Sequence, residues 1–157
     1  MGLIDLYGDA DSVSLLHYLS EEQKDLDKLA RILIARLAKI CAYPMLVERW
    51  STVFSVHEDG TSADINTPFG QAWAELSLGI EEGEIGGFWN IWKRTYDKAG
   101  ARASSLIATI HISKNGQFFL GKDKHQGLRI HPNMTEQEDT TAFQVVNSII
   151  YLIGVNK

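Results

Sequence analysis

Leu26, Leu29, Leu33, Leu37 and Ile40 recur at intervals of three and four residues. That spacing places all five on one stripe of an α-helix and on no single face of a strand. Ser20-Glu21-Glu22-Gln23 stands just upstream with capping-box spacing, which predicts a helix beginning at Ser20. Lys28, Arg31 and Lys39 lie off the stripe, and Arg36 and Lys39 near its end suit the helix dipole. Tyr43-Pro44 stops the helix, because a residue before proline disfavours helical ψ. A shorter separate helix is expected before it, over 12–19.

The chain then changes period. Leu46, Trp50, Phe54 and Val56 fall on one face of a strand over 46–56. Asp59-Gly60 marks a hairpin turn into a second strand over 62–66. Residues 67–80 carry two signals. Thr67-Pro68 has the form of a helix start, and Phe69, Ala72, Trp73, Leu76 and Ile80 suit a helix. Ala72, Ala74, Leu76, Leu78 and Ile80 also alternate as in a strand; the helix is the favoured reading. Gly79, Gly83, Gly86 and Gly87 are expected to make a loop, followed by a short helix over 90–98 with Trp92 and Tyr96 on one side.

The strongest hairpin signal comes later. Alternating residues over 106–113 run into Asn115-Gly116, which suits a type I′ turn, and then into Gln117-Phe118-Phe119-Leu120. A two-residue turn there pairs Ile112 with Phe119 and His111 with Leu120. Thr135-Glu136-Gln137-Glu138 opens a final helix, whose stripe is Phe143, Val146, Ile150 and Ile153. The expected fold is α+β: one globular domain over 1–157, with a mainly antiparallel sheet on which N-terminal helices and a C-terminal helix pack.

Composition narrows the class. A chain of 157 residues, 45% hydrophobic and 22% charged, buries an ordinary core. The single cysteine, Cys41, permits no internal disulfide. No apolar run approaches the roughly 20 residues of a membrane span, and Met1-Gly2-Leu3-Ile4-Asp5 lacks the form of a secretory leader. A cytoplasmic protein is expected.

Net charge is −5 and unevenly placed. Residues 57–84 hold Glu58, Asp59, Asp64, Glu75, Glu81, Glu82 and Glu84 with no Lys or Arg. Residues 93–131 hold Lys93, Arg94, Lys98, Arg102, Lys114, Lys122, Lys124 and Arg129 against Asp97 and Asp123. Such asymmetry either intermixes on folding or steers a charged partner. The overall acidity argues against nucleic acid.

Reaction motifs are lacking. His111, His125 and His131 cluster in sequence but match no zinc spacing. Cys41 sits late in a helix, where an inert buried thiol is expected. No serine lies in a Gly-x-Ser-x-Gly elbow, and no glycine pattern cradles a nucleotide. No catalytic residue, metal or cofactor is assigned. Three functions remain: a small acidic binding module, such as an antitoxin or immunity-type inhibitor of a basic protein; a small enzyme using a histidine and a carboxylate around 111–131; or a structural subunit of a larger assembly. The first is favoured. Its expected contact set is Glu58, Asp59, Asp64, Glu81, Glu82, Glu84, Trp89 and Trp92, acids giving fast encounter and indoles giving anchors. Sequence leaves the oligomeric state open.

Overall fold

A computed structural model describes residues 10–81, 83–114, 117–120, 128–130 and 136–156, with backbone alone at 10–12, 81, 128–130 and 136–141. The order is α1 (Ala10–Cys41), a π-helical turn (Met45–Arg49), β1 (Val53–Val56), β2 (Ala63–Thr67), β3 (Gly70–Glu81), β4 (Glu84–Tyr96), β5 (Arg102–Ser113), β6 (Phe118–Leu120), β7 (Leu128–Ile130) and α2 (Glu136–Val155). Among the described residues the seven strands form one sheet in sequence order, every neighbour antiparallel. Helices and antiparallel sheet together make an α+β fold, as expected.

The leucine stripe of α1 is buried as its spacing requires: Leu26, Leu33, Leu37 and Ile40 are all inaccessible, and Leu29 packs against them. The helix starts earlier than Ser20, however. Its 32 residues run without a break from Ala10, about 48 Å at 1.5 Å per residue. The Ser20 hydroxyl donates back to the Leu16 carbonyl at 2.8 Å instead of capping a terminus. A serine inside a helix bonds this way when the preceding turn is already formed.

Residues 67–98 depart most from expectation. Both predicted helices here are strands, and the predicted glycine loop is part of the same hairpin. The Thr67-Pro68 signal serves a turn: Thr67 Oγ1 accepts the Phe69 N–H at 3.1 Å and donates to the Gly70 carbonyl at 2.9 Å. Glu81 pairs with Glu84 across a two-residue turn in which Gly83 has φ 75°, a left-handed position that costs glycine nothing. The alternation of Ala72, Ala74 and Leu76 prevails because β4 presents Lys93, Ile91 and Trp89 opposite them. Strand propensity of this kind is realised only with its partner in place.

Two smaller shifts follow from loop geometry. The strand expected from Leu46 begins at Val53, because the chain after Pro44 makes the π-helical turn first. The β5–β6 register is one residue away from the predicted one: Ile112 faces Phe118 and His111 faces Phe119. The Ser113 N–H donates to the Gln117 carbonyl at 2.9 Å, so three residues rather than two close the turn. A one-residue slip exchanges the faces of Phe118 and Phe119.

Both helices cover one face of the sheet. Its rows include Phe54–Ile65–Ala72–Lys93 and Leu76–Trp89–Ile110–Leu120. Trp89 is fully buried there and donates from Nε1 to the Thr61 carbonyl at 2.9 Å. Among the described residues Lys93 is the buried charged residue on this face. Its Nζ donates to the carbonyls of Ile153, at 2.6 Å, and of Asn156. The last turn of α2 has no basic residue of its own, so Lys93 supplies the cation that a helix C-terminus favours.

Candidate functional site

The opposite face of the sheet carries the residues that alternate with this core. No described helix packs on it. Trp73 and Trp92 lie directly across from one another on β3 and β4. Their rings stack with centroids 5.8 Å apart and planes 15° apart. The Trp73 Nε1 donates to Ser104 Oγ on β5 at 3.2 Å, which fixes the indole across three strands. The Trp92 Nε1 is buried and has no partner among the described residues.

Around the indole pair lie polar side chains that hold one another. Asp64, opposite Trp73 on β2, accepts from His57 Nε2 at 2.9 Å and faces Arg94 at 3.6 Å. Asn90 donates to Ser77 Oγ at 3.0 Å and accepts from Thr109 Oγ1 at 3.1 Å. Phe88 meets the His111 ring edge-on at 5.1 Å. A bulge between Ile91 and Trp92 lets Trp92 face Leu106 instead of Ile107. Leu106 is half-exposed and extends the apolar surface.

The two ends of this face differ in charge. The β3–β4 turn holds Glu81, Glu82 and Glu84. Glu84 lies 3.5 Å from Lys114, which also faces Glu22 of α1 at 3.7 Å. Those two carboxylates, Glu22 first, hold the Lys114 ammonium above its ordinary pKa. A hydrogen bond to Glu22 likewise raises the Tyr18 phenol. At the other end, the β4–β5 hairpin holds Arg94, Lys98 and Arg102 against Asp97 alone. There Gln71, Trp73, Arg94, Tyr96, Arg102 and Ser104 line a concavity of about 780 Å³.

The expected contact set does not gather on one surface. Asp64 and Trp92 are on the open face; Trp89 is on the covered one and fully buried. Glu58 and Asp59 belong to the β1–β2 turn. There the Asp59 carboxylate accepts the Thr61 and Ser62 N–H groups at 2.9 and 2.8 Å and the Ser62 hydroxyl at 2.7 Å. These bonds, the Ser62 hydroxyl first, pull its pKa down to about 2. Glu84 lies at the far hairpin tip, about 26 Å along β3 from the Asp64 level at roughly 3.3 Å per residue. Glu82 and the side chain of Glu81 lie outside the described residues, as do His125 and His131. His111 is on the open face, against Phe88.

Cys41 is buried, which pushes its thiol up to about 12; a thiol so desolvated is a poor nucleophile. Among the described residues no three of His, Cys, Asp and Glu gather to hold a metal. No described helix is long and apolar enough to cross a membrane.

Sequence reasoning missed Trp73, Tyr96, Arg102 and the His57–Asp64–Arg94 cluster. One signal was present. A two-residue turn at 82–83 makes each paired couple of β3 and β4 equidistant from it, which puts Trp73 opposite Trp92. Comparison with family models, with curated proteins and with solved structures finds no match to this chain.

Proposed function

We propose that the protein is a protein-binding module that acts by occupying its partner, as an antitoxin or immunity-type inhibitor does. The observation behind this reading is the open sheet face, with two stacked indoles toward its basic end and both helices on the opposite side. Large, rigid aromatic rings give contact area at low entropic cost, and such residues dominate binding energies at interfaces. Asp64, Asn90, Ser77, Ser104 and Thr109 around the indoles are already hydrogen-bonded, so a partner meets a largely ordered surface.

A basic partner fits the net charge of −5 and the acidic hairpin tip. In this reading Glu81, Glu82 and Glu84 steer the encounter, while Trp73 and Trp92 hold the complex. Trp89 takes no part, because it lies in the core.

The test is capture on the immobilised protein from a lysate of its source cell, at roughly 50 mM and 500 mM salt, where screening lengths differ about threefold. One basic protein in a one-to-one ratio, associating more slowly at high salt and losing its own activity in the complex, is the expected result. A captured protein whose association ignores salt, or whose activity survives binding, contradicts the inhibitor reading.

A further inference from the structure

The basic end of the open face has a shape and chemistry of its own. Two hairpin turns, β2–β3 and β4–β5, meet at this end of the sheet. Asp97 is the acid of the β4–β5 turn, and its Oδ1 accepts the Ala99 and Ala101 N–H groups at 2.9 and 2.8 Å. That carboxylate oxygen is therefore turned into its own loop. Arg94 is shared with Asp64 at 3.6 Å, and Arg102 has no ion pair among the described residues. The concavity beneath them, about 780 Å³, falls within the usual 300–1,000 Å³ of small-ligand sites.

Its walls combine two chemistries. Trp73 is pinned by Ser104 and backed by Trp92, so it is a fixed flat platform. Tyr96 is 74% exposed at the rim. Arg94 and Arg102 bring guanidinium forks, which bind phosphate oxygens in pairs. Gln71 and Ser104 add neutral hydrogen-bonding groups. A ligand satisfying all of these has a flat heteroaromatic ring and a phosphate. A nucleic-acid strand leaving the concavity along the open face meets Asp64, Glu75 and then the acidic hairpin tip. The charge pattern therefore favours a single nucleotide over a polymer.

We propose that this concavity binds a mononucleotide, with the ring against Trp73 and Tyr96 and the phosphate on Arg94 and Arg102. The nucleotide site rests on the arginines and the concavity and not on the protein-binding reading, although Trp73 belongs to both.

The experiment is a calorimetric titration of the full chain with AMP and UMP, beside adenosine and inorganic phosphate. Saturable binding with Kd on the order of 0.1–1 mM is expected for the nucleotides, and binding at least about tenfold weaker for adenosine or phosphate alone. Arg102→Gln is expected to weaken AMP about tenfold, Arg102→Lys less, because the lysine keeps charge but not the fork. Both variants alter an exposed side chain, and thermal melts matching wild type confirm that the fold is intact. Absence of saturation by about 10 mM nucleotide, or equal affinity in folded Arg102→Gln, overturns the proposal. Binding to oligonucleotides that tightens with length far beyond the mononucleotide value overturns it as well, in favour of a strand-binding face.

Discussion

On the covered face of β4, Ile85, Gly87, Trp89, Ile91 and Lys93 are buried; on its open face, Phe88, Asn90 and Trp92 are only half-buried and Arg94 is exposed. One strand thus supplies both surfaces, residue by residue. The polar groups are handled differently on each. Lys93, on the covered face, is satisfied by the carbonyl end of α2, and Trp89 Nε1 by the Thr61 carbonyl. On the open face the polar groups bond laterally, Asn90 to Ser77 and Thr109. The covered face spends its interactions on holding helices to the sheet; the open face holds its own side chains in place and leaves their outer surfaces accessible.

The largest effect should come from breaking the covered face. Trp89→Ala removes a fully buried indole, for which about 3–5 kcal/mol is usual. At roughly 2–4 °C per kcal/mol for a chain of this size, the melting temperature is expected to fall by about 6–20 °C. A melt by far-UV circular dichroism checks it. A drop under about 3 °C would mean that the indole is not a core element.

Lys93→Met should cost less, about 1–3 kcal/mol, since it leaves two carbonyls at the end of α2 without their donor. The expected signature is a lower urea midpoint together with faster hydrogen exchange over 149–156. Faster exchange spread evenly over the whole chain would argue against a local cap.

The smallest effect belongs to the β1–β2 turn. Asp59 is held at about 2 by its bonds to Ser62 and Thr61, below an unfolded value of about 3.9. Its contribution is therefore fully present above pH ~4 and lost as pH falls through ~2. The carboxylate is exposed, so solvent screening limits that contribution to below about 1 kcal/mol. Asp59→Ala should melt slightly earlier than wild type at pH 7, and the gap should close toward pH 2. A gap that widens in acid would reverse the sign and refute the assignment.

The difference between the two faces also explains what was legible from the sequence. Helix α1 was readable because its leucine stripe is a local pattern that survives any partner. The α2 stripe was readable for the same reason. The hairpin of β3 and β4 was not, because its residues satisfy two periods at once. Trp92 and Tyr96 share a side in a helix and in a strand alike, since four residues apart is near a full turn of one and two repeats of the other. Trp89 and Trp92 separate the two cases: three apart, they share a helix side but take opposite strand faces. The expected contact set took Trp89 and Trp92 together as sequence neighbours, and the strand puts Trp89 on the covered face. The acidic residues misled for another reason. Charge counts carry no distance, and the folded chain sets Asp64 and Glu84 far apart and gives Asp59 a turn to hold. The basic concavity lay beyond sequence reading, since its walls come from β3, β4 and β5.

The claim that one face stabilises and the other binds is tested most directly by comparing two indoles that differ in face. Trp89→Leu and Trp73→Leu are each assayed for melting temperature and for one-to-one retention of the captured partner. Trp73→Leu is expected to cost only about 1–2 kcal/mol, as for a half-buried ring, while partner retention is largely lost. Trp89→Leu is expected to lower the melting temperature strongly, yet to retain the partner wherever the protein remains folded. Full retention of the partner by folded Trp73→Leu would contradict the assignment of the open face as the contact surface.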